Sequence, residues 1–254
     1  MEFSFIFRLL IKRLILIKKG MVYVVVKKQM RGRGKEKYED AVYVEGKEGF
    51  YLCMGIADGQ SSKKYSIEGA RHTLESVFDY LKHSTLPELK NYYCDELQYH
   101  LIYRVRAALT GLAKEHDSNI YEFSSTFCIM MIDEKTGMFM TANLGDGTIL
   151  GVTNTNEIVI LSNPEQGVTK GSTYLTTTDG ALSHIRIGWG SISDYHTILM
   201  FSDGIKGILT NGYIIQEAAK MLIEREYQKL LERMEGFCMR DDASAILFSK
   251  DSEK

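Results

Sequence analysis

The stretch Phe50-Tyr51-Leu52-Cys53-Met54-Gly55-Ile56-Ala57-Asp58-Gly59-Gln60 decides how this chain of 254 residues folds. Its apolar half predicts a buried strand, and the Asp-Gly pair predicts a turn that presents a carboxylate at a sheet edge. An isolated Asp-Gly is usually a plain turn. Three further acidic sites, however, lie at the ends of predicted strands: Glu39-Asp40, Asp203-Gly204 and Asp241-Asp242. This recurrence indicates one shared site.

The composition is that of a single soluble globular domain, with 44% hydrophobic and 25% charged residues. The formal net charge of −2 gives no overall field that would favour nucleic acid. The four cysteines are far apart and form no C-x-x-C pair, so we interpret them as reduced thiols rather than disulfides or zinc ligands. They are Cys53, Cys94, Cys128 and Cys238. We therefore expect a cytoplasmic protein that binds no nucleic acid.

Residues 3–17 are strongly apolar, but basic residues interrupt them at Arg8, Lys12 and Arg13. This run is too short and too charged for a membrane span, and its charges lie inside the apolar stretch rather than before it as in a secretory signal. Two interpretations stay open. One is a basic amphipathic helix that lies on a membrane surface. The other, which we favour because helical spacing of a few charges arises easily by chance, is an extension at 1–20 outside a single domain at 21–254.

From Val22 onward the pattern predicts a β-meander, two helices, a second meander, one helix and a last strand. The expected strands cover 22–26, 40–44, 50–58, 125–132, 138–144, 149–152, 158–161, 197–201 and 245–248. The expected helices begin near Ser66 and Asp95, and a long helix covers 213–234. Residues 163–195 are expected to be an irregular excursion. Because hairpin-joined strands outnumber helices, the fold class is α+β, with antiparallel sheets and helices packed outside.

Aspartates that converge at one rim of a sheet repel one another unless a cation or a proton intervenes. Mg²⁺ and Mn²⁺ take oxygen ligands, whereas zinc and copper favour the histidine and cysteine clusters that this sequence lacks. Two such ions close together generate a hydroxide and hold a phosphoryl group for in-line attack. The pattern therefore favours a site for two hard divalent cations, which could serve this chemistry.

Six motifs carry a resemblance to a known family. In chain order they are Tyr38-Glu39-Asp40-Ala41, Gly55-Ile56-Ala57-Asp58-Gly59, Ser124-Ser125-Thr126-Phe127, Ala142-Asn143-Leu144-Gly145-Asp146, Met200-Phe201-Ser202-Asp203-Gly204 and Asp241-Asp242-Ala243-Ser244. Over about residues 35–249 the chain resembles the metal-dependent (PPM, type 2C) protein serine/threonine phosphatases of the bacterial type. Each motif alone is weak, but six in the family order are specific.

The resemblance implies a four-layer α-β-β-α sandwich that holds two Mn²⁺ or Mg²⁺ ions at one end. It implies the following ligands: Asp58 on both ions, the Gly59 carbonyl on one, Asp203 and Asp241 on the first, Glu39 on the second, and Asp146 on a weaker third ion. It further implies that Asp40 orients a bound water and that a metal-bridging hydroxide attacks phosphorus. Lys35 stands where the family has a phosphate-binding arginine.

Three departures from the family pattern leave alternatives open. Gln60 replaces a frequent histidine and cannot donate a proton at neutral pH. Lys35 lacks the bidentate fork of arginine, and Gly207 replaces an aspartate of the third metal site. We expect an active monomeric phosphatase for phosphorylated proteins. The alternatives are a catalytically silent binding module of the same fold and a phosphatase dedicated to one regulator.

Overall fold

The computed structural model describes residues 12–18, 21–33, 35–165, 167, 172–210, 214–236 and 241–252. In chain order its strands are β1 (Lys12–Lys18), β2 (Met21–Met30), β3 (Asp40–Lys47), β4 (Tyr51–Asp58), β5 (Phe127–Asp133), β6 (Met138–Leu144), β7 (Thr148–Thr153), β8 (Ile158–Ser162), β9 (Arg186–Ser191), β10 (Tyr195–Phe201) and β11 (Ala243–Ser252). Its α-helices are α1 (Ser66–Lys82), α2 (Leu86–Lys90), α3 (Cys94–Glu115), α4 (Lys206–Leu209), α5 (Gln216–Ile223) and α6 (Tyr227–Gly236).

The strands form two antiparallel sheets. One has six strands in the order β1-β2-β11-β10-β7-β8, and the other has five in the order β3-β4-β5-β6-β9. Every neighbouring pair in both sheets is antiparallel. The α+β class predicted from the hairpin-rich pattern is confirmed.

Three apolar layers hold the sandwich together. The inner faces of the two sheets pack on each other through residues such as Met54, Met130 and Ile246. The outer face of the five-stranded sheet packs on α1, α2 and α3, and the outer face of the six-stranded sheet packs on α4, α5 and α6. The result is the expected α-β-β-α order of layers.

The region expected to be irregular contains a strand. β9 pairs with β6 and closes the five-stranded sheet, with Trp189 opposite Met140. The expectation for residues 163–195 is therefore wrong over 186–191. Trp189 packs against the core beneath the helices. The second predicted meander is shared between the two sheets, since β5 and β6 belong to the five-stranded sheet whereas β7 and β8 belong to the six-stranded one.

The helix predicted over 213–234 is two helices. α5 ends at Ile223 and α6 begins at Tyr227, and between them Arg225 has a positive φ of 59°. An L-residue in this left-handed region cannot continue an α-helix, so the chain turns there. Between α1 and α3 the structure also adds the short helix α2, which Thr85 starts with a capping box.

The N-terminal run is partly a strand. β1 pairs antiparallel with β2 at the edge of the six-stranded sheet, from Lys12 opposite Lys27 to Lys18 opposite Met21. This finding disagrees with an amphipathic helix over the described part of residues 3–17, and residues 1–11 lie outside the described residues. None of the described helices is long and apolar enough to cross a membrane. The domain boundary near residue 20 and the contact with a membrane surface stay predictions.

Candidate metal centre

The five-stranded sheet presents two carboxylates at one edge. β3 begins at Asp40 and β4 ends at Asp58, and the antiparallel register places these two residues directly opposite each other. Thr126 fixes the second of them, since the Asp58 N–H donates to Thr126 Oγ1 (3.0 Å) and the Thr126 N–H donates to the Asp58 carbonyl (2.8 Å). The predicted strand therefore ends at Asp58, and the carboxylate of Asp58 lies at the end of the strand as expected.

The six-stranded sheet contributes three more aspartates at one of its ends. Asp203 follows β10, Asp146 precedes β7 and Asp241 precedes β11. The end of β10 lies opposite the starts of both β7 and β11, so the three residues fall at the same end of neighbouring strands.

Ser202 connects the acidic ends of the two sheets. Its Oγ donates to Asp40 Oδ2 (2.9 Å) and accepts from the Ser244 N–H (2.9 Å). Asp40 and Ser202 are both buried, so this link is shielded from water. It holds the aspartates of β3 and β4 next to those of β10 and β11.

The pKa values show that the aspartates form one electrostatic group. Burial raises the pKa of Asp58 well above its ordinary value, and four neighbouring carboxylates raise it further. In decreasing order of effect these belong to Asp40, Asp203, Asp146 and Asp241. The pKa of Asp203 is raised to about 6, first by burial and then by Asp146 and Asp241. Burial likewise raises the pKa of Asp40 and of Asp146.

Two lysines offset part of this negative charge. The Lys35 Nζ donates to Glu39 Oε2 (2.5 Å) and to Asp241 Oδ1. Partial burial alone lowers the pKa of Lys35, but hydrogen bonds to Asp241 and Glu39 outweigh that effect and raise it above its ordinary value. Lys206 lowers the pKa of both Asp146 and Asp203, yet both stay raised. The positive charge of these two lysines therefore does not cancel the mutual repulsion of the aspartates.

Asp242 positions the loop that carries Lys35, a role that the sequence did not predict. Its Oδ1 accepts from the Gly32 N–H (2.8 Å) and its Oδ2 accepts from the Glu39 N–H (2.6 Å). The Asp242 side chain is buried, and both bonds join residues that are more than 200 positions apart in the chain. Charge-assisted bonds of this kind are stronger than neutral ones. They hold Lys35 and Glu39 against the start of β11.

Two glycines let the strand ends approach closely. A Cβ at Gly59 would lie 2.5 Å from the Ser66 carbonyl oxygen, and one at Gly204 would lie 2.0 Å from the Asp242 carbonyl oxygen. Both distances are too short for a real Cβ, so the sequence needs glycine after each aspartate for steric reasons. That the Gly59 carbonyl binds a metal ion stays a prediction.

The structure shows the surroundings of two residues that depart from the family pattern, Gln60 and Gly207. The Gln60 N–H donates to the Ser124 carbonyl (2.9 Å), so Gln60 continues a fixed turn after Gly59. A side chain at Gly207 would enter open space, because nothing lies within 4 Å of a Cβ built there. The replacement of an aspartate by Gly207 therefore reflects no steric demand, and a third metal site stays a prediction.

The donor set fits a hard divalent cation. In the described part of the chain, no three His, Cys, Asp or Glu side chains are already gathered into a metal-binding group. The carboxylates nevertheless raise one another's pKa values, which is the situation that a bound cation relieves. All the candidate side-chain donors are oxygens, as Mg²⁺ and Mn²⁺ prefer.

Comparisons with known proteins agree with this geometry. A family model described as protein phosphatase 2C matches residues 30–245. The structure is similar to that of RsbX in complex with magnesium, at 13% identity and a TM-score of 0.61, covering 94% of this chain and 100% of that one. It is similar to a bacterial serine phosphatase at 15% identity and a TM-score of 0.66, covering 91% and 98%.

A third similar structure is the serine/threonine phosphatase Stp1 from Staphylococcus aureus. It is 14% identical with a TM-score of 0.60, and the match covers 89% of this chain and 94% of that one. No curated protein sequence is significantly similar to this chain. At such identities the structural likeness establishes the fold, while the family model spans most of the chain.

Proposed function

The chain belongs to the protein phosphatase 2C family, and we propose that it hydrolyses phosphoserine and phosphothreonine on proteins with two Mn²⁺ or Mg²⁺ ions. One observation carries the proposal: aspartates from both sheets, most of them partly buried, meet at one end of the sandwich and raise one another's pKa values. Phosphoryl transfer depends mostly on positioning and on charge neutralisation, which a cluster of this kind can support once cations bind.

The proposed ligands come from strand ends of both sheets. They are Asp58 for both ions, Asp203, Asp241 and the Gly59 carbonyl for the first, Glu39 for the second, and Asp146 for a weaker third ion. When bound, the ions would supply an activated water as nucleophile and neutralise the charge of the phosphoryl group. The Asp58 backbone is anchored by Thr126, which supports a fixed position for the shared ligand.

Two further residues, Lys35 and Asp40, are proposed to bind the substrate and to position groups at the site. Lys35 donates to Glu39 and Asp241 in this structure. If these carboxylates coordinate cations instead, the Lys35 ammonium is free to donate to a phosphate oxygen of the substrate. Ser202 donates to Asp40 Oδ2 and so fixes the Asp40 side chain, which supports a positioning role for Asp40 beside the proposed ions. We therefore assign Lys35 to substrate binding and Asp40 to orientation.

The alternative is a silent binding module, and one observation favours it. Gln60 stands where a general acid would protonate the leaving serine oxygen, and an amide cannot do so at neutral pH. The loss of an acid slows a reaction but leaves metal binding intact. Metal affinity and turnover must therefore be measured separately.

The test combines calorimetric titration of Mn²⁺ with hydrolysis of p-nitrophenyl phosphate and of a phosphothreonine peptide. The variants are Asp58→Asn and Asp203→Asn, and the matched control is Asp179→Asn, an exposed aspartate that also precedes a glycine. We expect Mn²⁺-dependent turnover in the wild type and the control, and loss of both turnover and Mn²⁺ binding in the two variants. Mn²⁺ binding without turnover would favour the silent module, and no Mn²⁺ binding by the folded wild type would overturn the proposal.

A further inference from the structure

Tyrosines are concentrated on one exposed surface where α2 leads into α3. Tyr92, Tyr93, Tyr99 and Tyr103 are 39%, 82%, 53% and 56% exposed. Scattered exposed aromatics are ordinary, but a contiguous group of large apolar side chains marks an interaction surface. We call these four residues the tyrosine surface. It includes none of the candidate metal ligands.

Ring contacts connect three of the four tyrosines through His100. His100 lies at its centre, 5.8 Å from the ring of Tyr92 and 6.0 Å from that of Tyr99. Tyr99 in turn stacks on Tyr103 at 5.9 Å. Tyrosine has only two side-chain torsions, so ordering these rings on binding costs little entropy, a property typical of interface hot spots.

Charged residues flank the tyrosine surface in a symmetric way. The outward face of α3 carries Glu96, Tyr99, His100, Tyr103 and Arg104, which recur at helical spacing, whereas the inward face carries buried Leu97, Leu101 and Val105. Glu96 and Arg104 are both exposed, and each lies four residues from His100. At 1.5 Å per residue, they therefore lie about 6 Å on either side of the centre of the face.

This arrangement is complementary to itself. If two α3 helices cross antiparallel about a two-fold axis near His100, Glu96 of each copy meets Arg104 of the other, and the tyrosine rings meet in the middle. A two-fold interface needs such self-complementarity. A uniformly acidic or basic partner, in contrast, would face a like charge at one end. We propose that the tyrosine surface, with Glu96 and Arg104, binds a second copy of this chain to form a symmetric dimer.

The proposal replaces the expectation of a monomer that the sequence alone suggested. Tyrosine and arginine are enriched in interface cores, which accords with the residues that lie here. The exposed rings are few compared with an obligate interface, so the dimer is expected to dissociate on dilution.

The test is sedimentation of the full-length protein over a wide range of concentrations. We expect a wild-type dimer that dissociates on dilution. Glu96→Arg sets like charges against each other at two symmetric contacts, so we expect the dissociation constant to rise at least about 100-fold, tenfold for each contact. Arg104→Glu should do the same. The double variant Glu96→Arg/Arg104→Glu restores opposite charges and should dimerise again.

Matched controls separate the surface from general effects on folding. Tyr99→Ser should weaken the dimer, whereas Tyr121→Ser should not, because Tyr121 is equally exposed but lies outside the tyrosine surface. All variants should keep wild-type phosphatase activity per subunit, or none if the wild type has none. A wild type that is monomeric at every concentration would overturn the proposal and leave the surface to a different partner. A dimer that survives Glu96→Arg, or a double variant that stays monomeric, would overturn it as well.

Discussion

Replacing Asp203 by asparagine should stabilise the protein in the absence of metal ions. The carboxylate of Asp203 is largely buried among like charges, which raises its pKa from 3.8 to about 6. Asparagine has nearly the same shape and no charge, and its side-chain oxygen can accept the same hydrogen bond from the Gly204 N–H. The variant therefore removes the electrostatic penalty and keeps the local geometry.

The size of the effect follows from the pKa shift. A shift of one pKa unit corresponds to 1.36 kcal/mol, so the ionised carboxylate of Asp203 costs about 3 kcal/mol at pH 7 and above. For a protein of this size, 1 kcal/mol changes the melting temperature by about 2–4 °C, which gives an expected increase of about 6–12 °C for Asp203→Asn. Because the pKa in the folded state lies above that in the unfolded state, stability is lost as pH rises. The advantage of asparagine should thus be absent below about pH 4 and should grow from pH 4 to 7.

Thermal denaturation in EDTA and in excess Mn²⁺, across this pH range, measures the effect. The exposed Asp179→Asn, in the same Asp-Gly context, should change stability by less than about 0.5 kcal/mol. In Mn²⁺ the order should reverse, because the wild type gains binding free energy that the variant loses. Destabilisation of Asp203→Asn in EDTA would refute the electrostatic reasoning, and so would an advantage that persists at pH 4. Equal protection of both proteins by Mn²⁺ would refute the assignment of Asp203 as a ligand.

Three further predictions concern the surroundings of the site. Gly204→Ala should lower the free energy of unfolding by about 1–3 kcal/mol in urea denaturation, because its Cβ would press on a carbonyl oxygen at the start of β11, whereas Gly207→Ala has open space and should be neutral or stabilising. Lys35→Gln should raise the KM for a phosphothreonine peptide about tenfold, and Lys35→Arg should restore it, because a cation attracts the phosphate dianion much more strongly than a neutral amide does. An unchanged KM for Lys35→Gln would exclude substrate binding by Lys35. Burial raises the pKa of the Cys53 and Cys128 thiols, so alkylation followed by mass spectrometry should find both unmodified in the native protein at pH 8 and modified after unfolding; rapid native modification would contradict their burial.

The strands that the sequence predicted best are those bounded by strong turn signals. β6 matches its predicted bounds, and glycines with positive φ stand directly before and after it, at Gly137 and Gly145. β9 was missed because two of its six residues are glycines, which disfavour strands. The structure gives a reason for one of them: a Cβ at Gly190 would lie 2.3 Å from the ring of Phe139. This demand comes from a neighbouring strand, and local sequence does not contain it.

The break between α5 and α6 was missed for a different reason. Arg225 adopts a left-handed conformation, which glycine or asparagine usually marks in a sequence, and arginine carries no such signal. The apolar spacing of Leu222, Leu230 and Met234 continues across the break because both helices pack on the same core. The apolar periodicity therefore predicted correctly which face is buried, but it wrongly predicted one continuous helix.

The candidate site was predictable in its residue types but not in the division of roles. The structure brings together Asp40, Asp58, Asp146, Asp203 and Asp241, which the motifs singled out. Neighbouring Asp242 differs from Asp241 in being buried and in its partners, the backbone N–H groups of Gly32 and Glu39, which lie at the other end of the chain. Two adjacent aspartates look alike until the fold shows which one is exposed to the cluster and which one holds the loop.

The cost of this cluster bears on the choice between an enzyme and a silent module. Native domains are stable by only about 5–15 kcal/mol, and ionised Asp203 alone costs about 3 kcal/mol at neutral pH when no cation is bound. Burial and like charges raise the pKa of Asp58 and Asp146 as well, and Lys206 offsets only part of the effect on Asp146. A protein that only bound partners through its surface would gain stability from neutral residues at these positions. Carboxylates at all of them are consistent with a cation that offsets the cost, and a cation bound at this end of the two sheets could activate water for the proposed hydrolysis of a phosphate ester.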